Sequence, residues 1–344
     1  MTTPISIPEG ARMRHDIFRA SSPWLQSLES RFEHWFRLEH GANIFPLLHV
    51  VGYYVILGLL IWPGLIDSAW PRATLWVLMV VASYSLSIGI IHLHAHRRLF
   101  THDGANRVLE FFLSFPALNS YAMMRYVHVH LHHRYEDGAG DPTSTVNYRR
   151  GGRMILYWVS YSPHCIWLTS RALFARDAKP VWRRMRTRFA VDTLGCVAIA
   201  EIWAYFDVNG MLWLWLVPMI IVWVNIGFFA WLTHAPAYSG RLNGSFNTTN
   251  RWMNFFIHNQ GYHVVHHYHP AIHWTAIPEH LDLMLGVNDQ LIVPYWVFLT
   301  NSWRVATTRT LRDEPFARRW KERYINQREA RQLRTPLLPY FSWI

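Results

Sequence analysis

Apolar residues gather into four long runs along the chain, and each run is about long enough to cross the hydrocarbon core of a bilayer as a helix. The first is "FPLLHVVGYYVILGLLIW", residues 45 to 62, and a short turn around Pro63, Gly64 and Pro71 separates it from "ATLWVLMVVASYSLSIGIIHLHAH", residues 73 to 96. The third and fourth, residues 189 to 206 and 211 to 234, are separated only by "DVNG". The spacing predicts two helical hairpins, the second helix of each ending in histidine. Two further apolar stretches, 108 to 124 and 154 to 174, contain Pro116 and Pro163 and read as interfacial or half-buried helices.

Composition supports a membrane setting. Of 344 residues, 51% are hydrophobic and 16% aromatic, with 19 Trp, and Trp and Tyr collect where a bilayer meets water. The net charge of +11 is almost all arginine, because Lys179 and Lys321 are the only lysines. No nucleic-acid recognition motif accompanies that charge, so it reads as the cytoplasmic face of a membrane protein. Arg72 alone lies in the outside turns, which places both termini in the cytoplasm, the membrane being a bacterial inner membrane. Residues 1 to 44 carry Arg12, Arg14, Arg19, Arg31 and Arg37 and do not resemble a cleavable signal. The chain thus divides into a cytoplasmic segment 1–44, a membrane domain 45–290 and an Arg-rich cytoplasmic segment 291–344. Cys165 and Cys196 form neither a disulfide framework nor a thiolate motif, so any metal must be held by nitrogen and oxygen.

Histidine supplies that nitrogen. On an α-helix residues four apart share a face. In "HLHAH", His92 and His96 converge and His94 turns away. In "HVHLHH", His128 and His132 converge, His133 lies about 100° round the helix and His130 faces elsewhere. In "HNQGYHVVHHYHP", His263 and His267 converge with His266 between them, leaving His258 and His269 outside. With His234 at the end of the fourth run, these boxes offer nine imidazoles. Nine is too many for one ion and suits two. Zinc prefers four ligands and often thiolates, copper pairs take about three histidines each, and iron accepts five or six N/O ligands with room for oxygen. His15, His34, His40, His49 and His164 stand alone and read as packing groups.

Three boxes at the cytoplasmic ends of four apolar helices resemble the membrane-bound fatty acid desaturase superfamily. The boxes are His92-x-x-x-His96, His128-x-x-x-His132-His133 and His263-x-x-His266-His267, and "HRRLFTH", "HHRYEDGAGDPTS" and "GYHVVHHYHP" are similar to family sequence around them. The resemblance covers roughly residues 45 to 290. It implies an all-α integral membrane protein, its two hairpins topped by a mostly helical cytoplasmic cap with a di-metal site. The implied activity is O2-dependent di-iron oxidation of the hydrocarbon chain of a fatty acid or acyl thioester, desaturation being the first reading. No rubredoxin-like cysteine knuckle and no HPGG motif is present, so electrons come from a separate protein such as ferredoxin or rubredoxin with its reductase.

The departures from the family pattern carry information. Val129 stands where acyl desaturases usually have the spacing H-x-x-H-H, and the wider second box is similar to that of alkane monooxygenases. This leaves open hydroxylation, or oxidative decarboxylation of a free fatty acid to a terminal alkene. His102 is an alternative ligand in the first box. Ala230 occupies the place of a frequent family asparagine, so a water-bridging amide must come from elsewhere, Asn254 and Asn259 being nearest. Trp213, Trp215, Phe228 and Trp231 are candidates to line an acyl tunnel, and Arg149, Arg150 and Arg153 to hold a carboxylate or thioester phosphates. Glu136, Asp137 and Asp141 are candidate acceptors for ligand ring N–H groups. A non-enzymatic metal transporter is the remote alternative, because these boxes lie at helix ends and not at the bilayer midplane.

Overall fold

The computed structural model describes residues 23–138, 140–148, 153–175, 180–235, 245, 247–248, 251–278 and 280. Among them the fold is all-helical, with no strand, and an isolated bridge joins Leu38 and Phe100. In chain order the helices are α1 (Pro23–Phe36), α2 (Ile44–Ile61), α3 (Ala69–His96), α4 (Asp103–Ser114), α5 (121–135), α6 (Met154–Leu173), α7 (Pro180–Phe206), α8 (Val208–His234), α9 (Arg251–Phe256) and α10 (His263–Tyr268).

Four of these are long and apolar enough to cross a membrane: Gly41–Ile61, Ala69–His96, Trp182–Phe206 and Val208–His234. They coincide within a few residues with the four apolar runs. Leu48, Val51 and Val55 on α2, Leu194 and Ile202 on α7 and Ile220 on α8 are exposed, an outer surface that water would penalise and lipid tails would not. The opposite faces close on a core of Tyr53, Leu57, Met79, Leu86, Ile90 and Leu214.

Tryptophan N–H groups join the long helices to their neighbours, as a buried indole needs an acceptor. Trp76 on α3 donates to the Trp213 carbonyl of α8 at 2.7 Å. Trp215 and Trp223 on α8 donate to the carbonyls of Phe115 and Ala117 at 2.8 and 2.6 Å. Those acceptors lie in a short turn, Phe115–Ala117, where the stretch 108 to 124 breaks: Pro116 removes a donor, Leu118 is left-handed (φ 49°), and Ser120 caps α5. The stretch 154 to 174 is one helix, α6, that runs through Pro163 and lies along α8. The two backbones meet at Gly227, where a Cβ would stand 2.4 Å from the Trp158 carbonyl oxygen. Only glycine permits that approach, and it sets the width of the space between α6 and α8.

Candidate metal centre

The ends of α3, α5 and α8 converge on α10, and the nine box histidines meet there in two groups. His92, His96, His128, His133 and His266 form a set of five; His132, His234, His263 and His267 form a set of four. Within each set the ligand atoms lie within 4.8 Å of one another. In the first, His128 Nε2 lies 2.6 Å from His92 Nε2, 3.0 Å from His133 Nε2 and 3.3 Å from His266 Nε2. In the second, His263 Nε2 lies 3.0 Å from His234 Nε2 and 3.2 Å from His267 Nε2. Ligands at right angles around an ion with metal–nitrogen bonds of about 2.1 Å would stand about 3 Å apart. The groups touch, the His133 and His267 rings being 4.7 Å apart.

The second box is grouped differently from the α-helical expectation. His128 and His133 share a group, and His132 belongs to the other. The reason is local winding: Met124–His132 is a π-helix, whose repeat is wider than that of an α-helix. At the other boxes the i, i+4 rule holds, joining His92 to His96 and His263 to His267, with His266 turned to the first group. A second π segment, Ser85–Ile90, precedes the first box on α3.

Electrostatics keep most of these rings neutral. Burial, reinforced by neighbouring histidines, pushes His128, His133, His263, His266 and His267 well below the ordinary imidazole range. A neutral imidazole is the form that binds a metal. His132 goes the other way. Burial opposes its charge, but Asp141 outweighs burial and raises it, and the same pair holds the Asp141 carboxyl well below the usual carboxylate range despite its own burial. The contact is His132 Nδ1 to Asp141 Oδ2 at 2.6 Å, which leaves Nε2 for the group. Asp141 also accepts from the amides of Asp137 and Thr143 and from the Thr143 hydroxyl. The Asp137 carboxylate accepts from the amide and hydroxyl of Thr145 and folds the loop.

The remaining histidines lie apart from the two groups. His94 faces Glu110 at 3.8 Å, His130 packs on Trp182, and exposed His102 caps α4 by accepting from the Ala105 amide. His258 is wholly buried against His49 and Trp274, and His269 stands beside His280. His40 caps a turn, His49 contacts Ser85, His34 is exposed and His164 stacks on Trp167. His15 lies outside the described residues.

One cavity reaches both groups. His92 and His128 of the first and His132, His234 and His263 of the second line it, between apolar walls of Ile88, Met123, Val127, Ile226 and Phe229. Its aromatic lining is Tyr157, Tyr161 and Phe229. The expected tunnel residues point elsewhere. Trp213 is 61% exposed, Trp215 bonds the Phe115 carbonyl, Phe228 packs on Trp158, and Trp231 is buried against Tyr157. Hydropathy cannot tell which face of α8 a ring takes, and here the cavity falls to the Ile226, Phe229, Ala230 and Thr233 face. Among the described residues no Arg or Lys lines the cavity; Arg153 is exposed at the start of α6, and Arg149 and Arg150 lie outside the described residues.

The expected bridging amides also have other tasks. Asn254 donates to the Thr248 carbonyl and accepts from the Gly261 amide, and Asn259 donates to the Trp274 carbonyl. Two amide side chains line the cavity, Asn119, which donates to the Ser87 carbonyl, and Gln260, and the periodicity that located the boxes gave no signal for either.

Fold and site together define a helical membrane protein with nine histidines in two metal-competent groups beside an apolar cavity. The chain belongs to the fatty acid desaturase family, whose model, described as "Fatty acid desaturase", matches residues 68–299. The match opens just before α3 and includes every box; α2 precedes it. Comparison with curated proteins gave no match.

Proposed function

We propose that this protein is an O2-dependent, non-haem di-iron oxidoreductase that desaturates the hydrocarbon chain of a fatty acid or fatty acyl substrate. The observation that carries the reading is the single cavity lined by histidines of both groups. The donor set fits iron: five and four imidazole nitrogens, no thiolate among them, and a buried His96 Nε2 with no hydrogen-bond partner. Bound iron would supply, with O2 and two electrons, the oxidising power to remove two hydrogens from adjacent carbons, both oxygen atoms leaving as water.

The chain's own residues do the rest. His92, His96, His128, His133 and His266 would hold one ion, and His132, His234, His263 and His267 the other. Asp141 fixes the proton of His132 on Nδ1 and keeps Nε2 open. Ile88, Val127, Ile226 and Phe229 hold an alkyl segment against the histidines and exclude water. The apolar walls suit the hydrocarbon part of the substrate. The boxes and both termini face the cytoplasm of a bacterial inner membrane, where a soluble ferredoxin or rubredoxin delivers electrons.

The test combines metal analysis with product analysis. Purified protein should hold close to two irons per chain and convert a member of a fatty acid panel, given reductase and O2, to an internal olefin. Zinc alone in an active preparation would sink the di-iron reading. A volatile alkene one carbon shorter than the substrate would keep the site and assign the reaction to decarboxylation.

A further inference from the structure

A ligand imidazole needs something behind it. The nitrogen that faces away from the metal carries a proton, and an acceptor for that N–H fixes both the tautomer and the ring. In the group of four this acceptor is Asp141 on His132. The group of five has, among the described residues, a matched pair of unused atoms. His92 turns Nε2 toward His128, so Nδ1 is its outward nitrogen, and Nδ1 is buried without a hydrogen bond. Gln260 lines the same cavity as this ring, is 2% exposed, and its Oε1 is likewise buried without a bond. One atom is a donor when Nε2 is free for a metal; the other is an acceptor.

The backbone around Gln260 is set in advance. His258 and Asn259 hold positive φ angles of 52° and 63°, which turn the chain sharply before the third box. The Gln260 amide donates to the Ile257 carbonyl at 3.2 Å, and the Asn259 side chain holds the Trp274 carbonyl at 3.0 Å. The side chain therefore leaves a fixed point and lines both the substrate cavity and a second cavity beside His96 and His266.

We infer that Gln260 is the positioning residue of the five-histidine group, its Oε1 accepting the His92 Nδ1–H, and that it makes the two metal positions chemically unlike. This rests on the di-iron reading above. Behind His132 stands an anion that raises ligand basicity; behind His92 stands a neutral amide that fixes the ring without adding charge.

Three forms of the full-length membrane protein test this: wild type, Gln260→Leu and Gln260→Glu, each loaded anaerobically with ferrous iron and read by iron stoichiometry and Mössbauer spectroscopy. Wild type should show two distinct quadrupole doublets. Gln260→Leu keeps the bulk and removes the acceptor, so one position should weaken by about 10–100-fold while the other keeps its iron. Gln260→Glu restores an acceptor and adds charge, so it should bind two irons with its doublets closer together than in wild type. Full occupancy and an unaltered spectrum in Gln260→Leu overturn the assignment, as does equal loss at both positions in Gln260→Leu with no rescue in Gln260→Glu. A wild type that holds a single ion, or zinc, overturns the di-iron reading itself.

Discussion

The two histidine groups differ in number, exposure and support. The first has five imidazoles, three of them only half-buried; the second has four, all buried. The second is braced by Asp141, itself anchored by the amides of Asp137 and Thr143. A site with spare donors tolerates the loss of one, whereas a four-donor site has none to lose. The lesson is that one sequence pattern, a histidine box, builds two sites with unequal tolerance.

The largest effect should therefore follow His234→Ala. Three histidines would remain in the second group, and beside His132 the Asp141 carboxylate favours the protonated ring, which competes with metal. One iron should be lost and turnover with it. His234 also comes from α8 whereas its partners come from α5 and α10, so the result tests whether the site joins separate helices. Full iron and full activity in this variant would confine the site to the three boxes.

His96→Ala comes next, removing a donor from the richer group. Four imidazoles stay together, and the expected outcome is weaker iron at that position without loss of the other. Iron titration of the two alanine variants side by side breaks the comparison if His96→Ala proves the more damaging. Asp141→Asn should be milder than either. The shorter charge list behind His132 weakens binding at the second group by about 10–100-fold, read as the iron concentration for half occupancy. The substitution also removes the anion that raises the pKa of His132. Proton competition then weakens, so iron affinity should depend less steeply on pH in Asp141→Asn than in wild type near neutrality.

Much of this architecture was legible in the chain. Apolar runs marked α2, α3, α7 and α8 because spanning a bilayer demands length and hydropathy together, and both are local properties. Box spacing marked the nine histidines that the fold gathers, because i, i+4 geometry is also local. The second box was misgrouped because a π-helix over Met124–His132 depends on how α5 packs, and nothing in its sequence announces the extra width. The cavity walls were misplaced for a related reason. α8 is apolar all round, so its sequence could not say that Phe229 faces the histidines while Phe228 packs on Trp158. Gln260 escaped notice because a single amide has no period.

The smallest effect on metal should come from His258→Ala, and it separates position in the sequence from position in the site. His258 lies in the same crowded stretch as three histidines of the two groups, five residues before His263, yet belongs to neither group. Its ring is wholly buried against His49 and Trp274, with Gly89 so close that a Cβ there would stand 3.2 Å from His258 Nδ1. Truncation leaves a cavity at a tight contact, for which a loss of about 2–4 kcal/mol in stability is expected by analogy with other large-to-small core changes. Both irons should remain. A lowered melting temperature with unchanged iron content and unaltered Mössbauer doublets is the expected pair of readings. Loss of one iron at normal stability would place His258 within the metal site and would make the crowding of that stretch, not the geometry of the two groups, the better guide to which histidines bind.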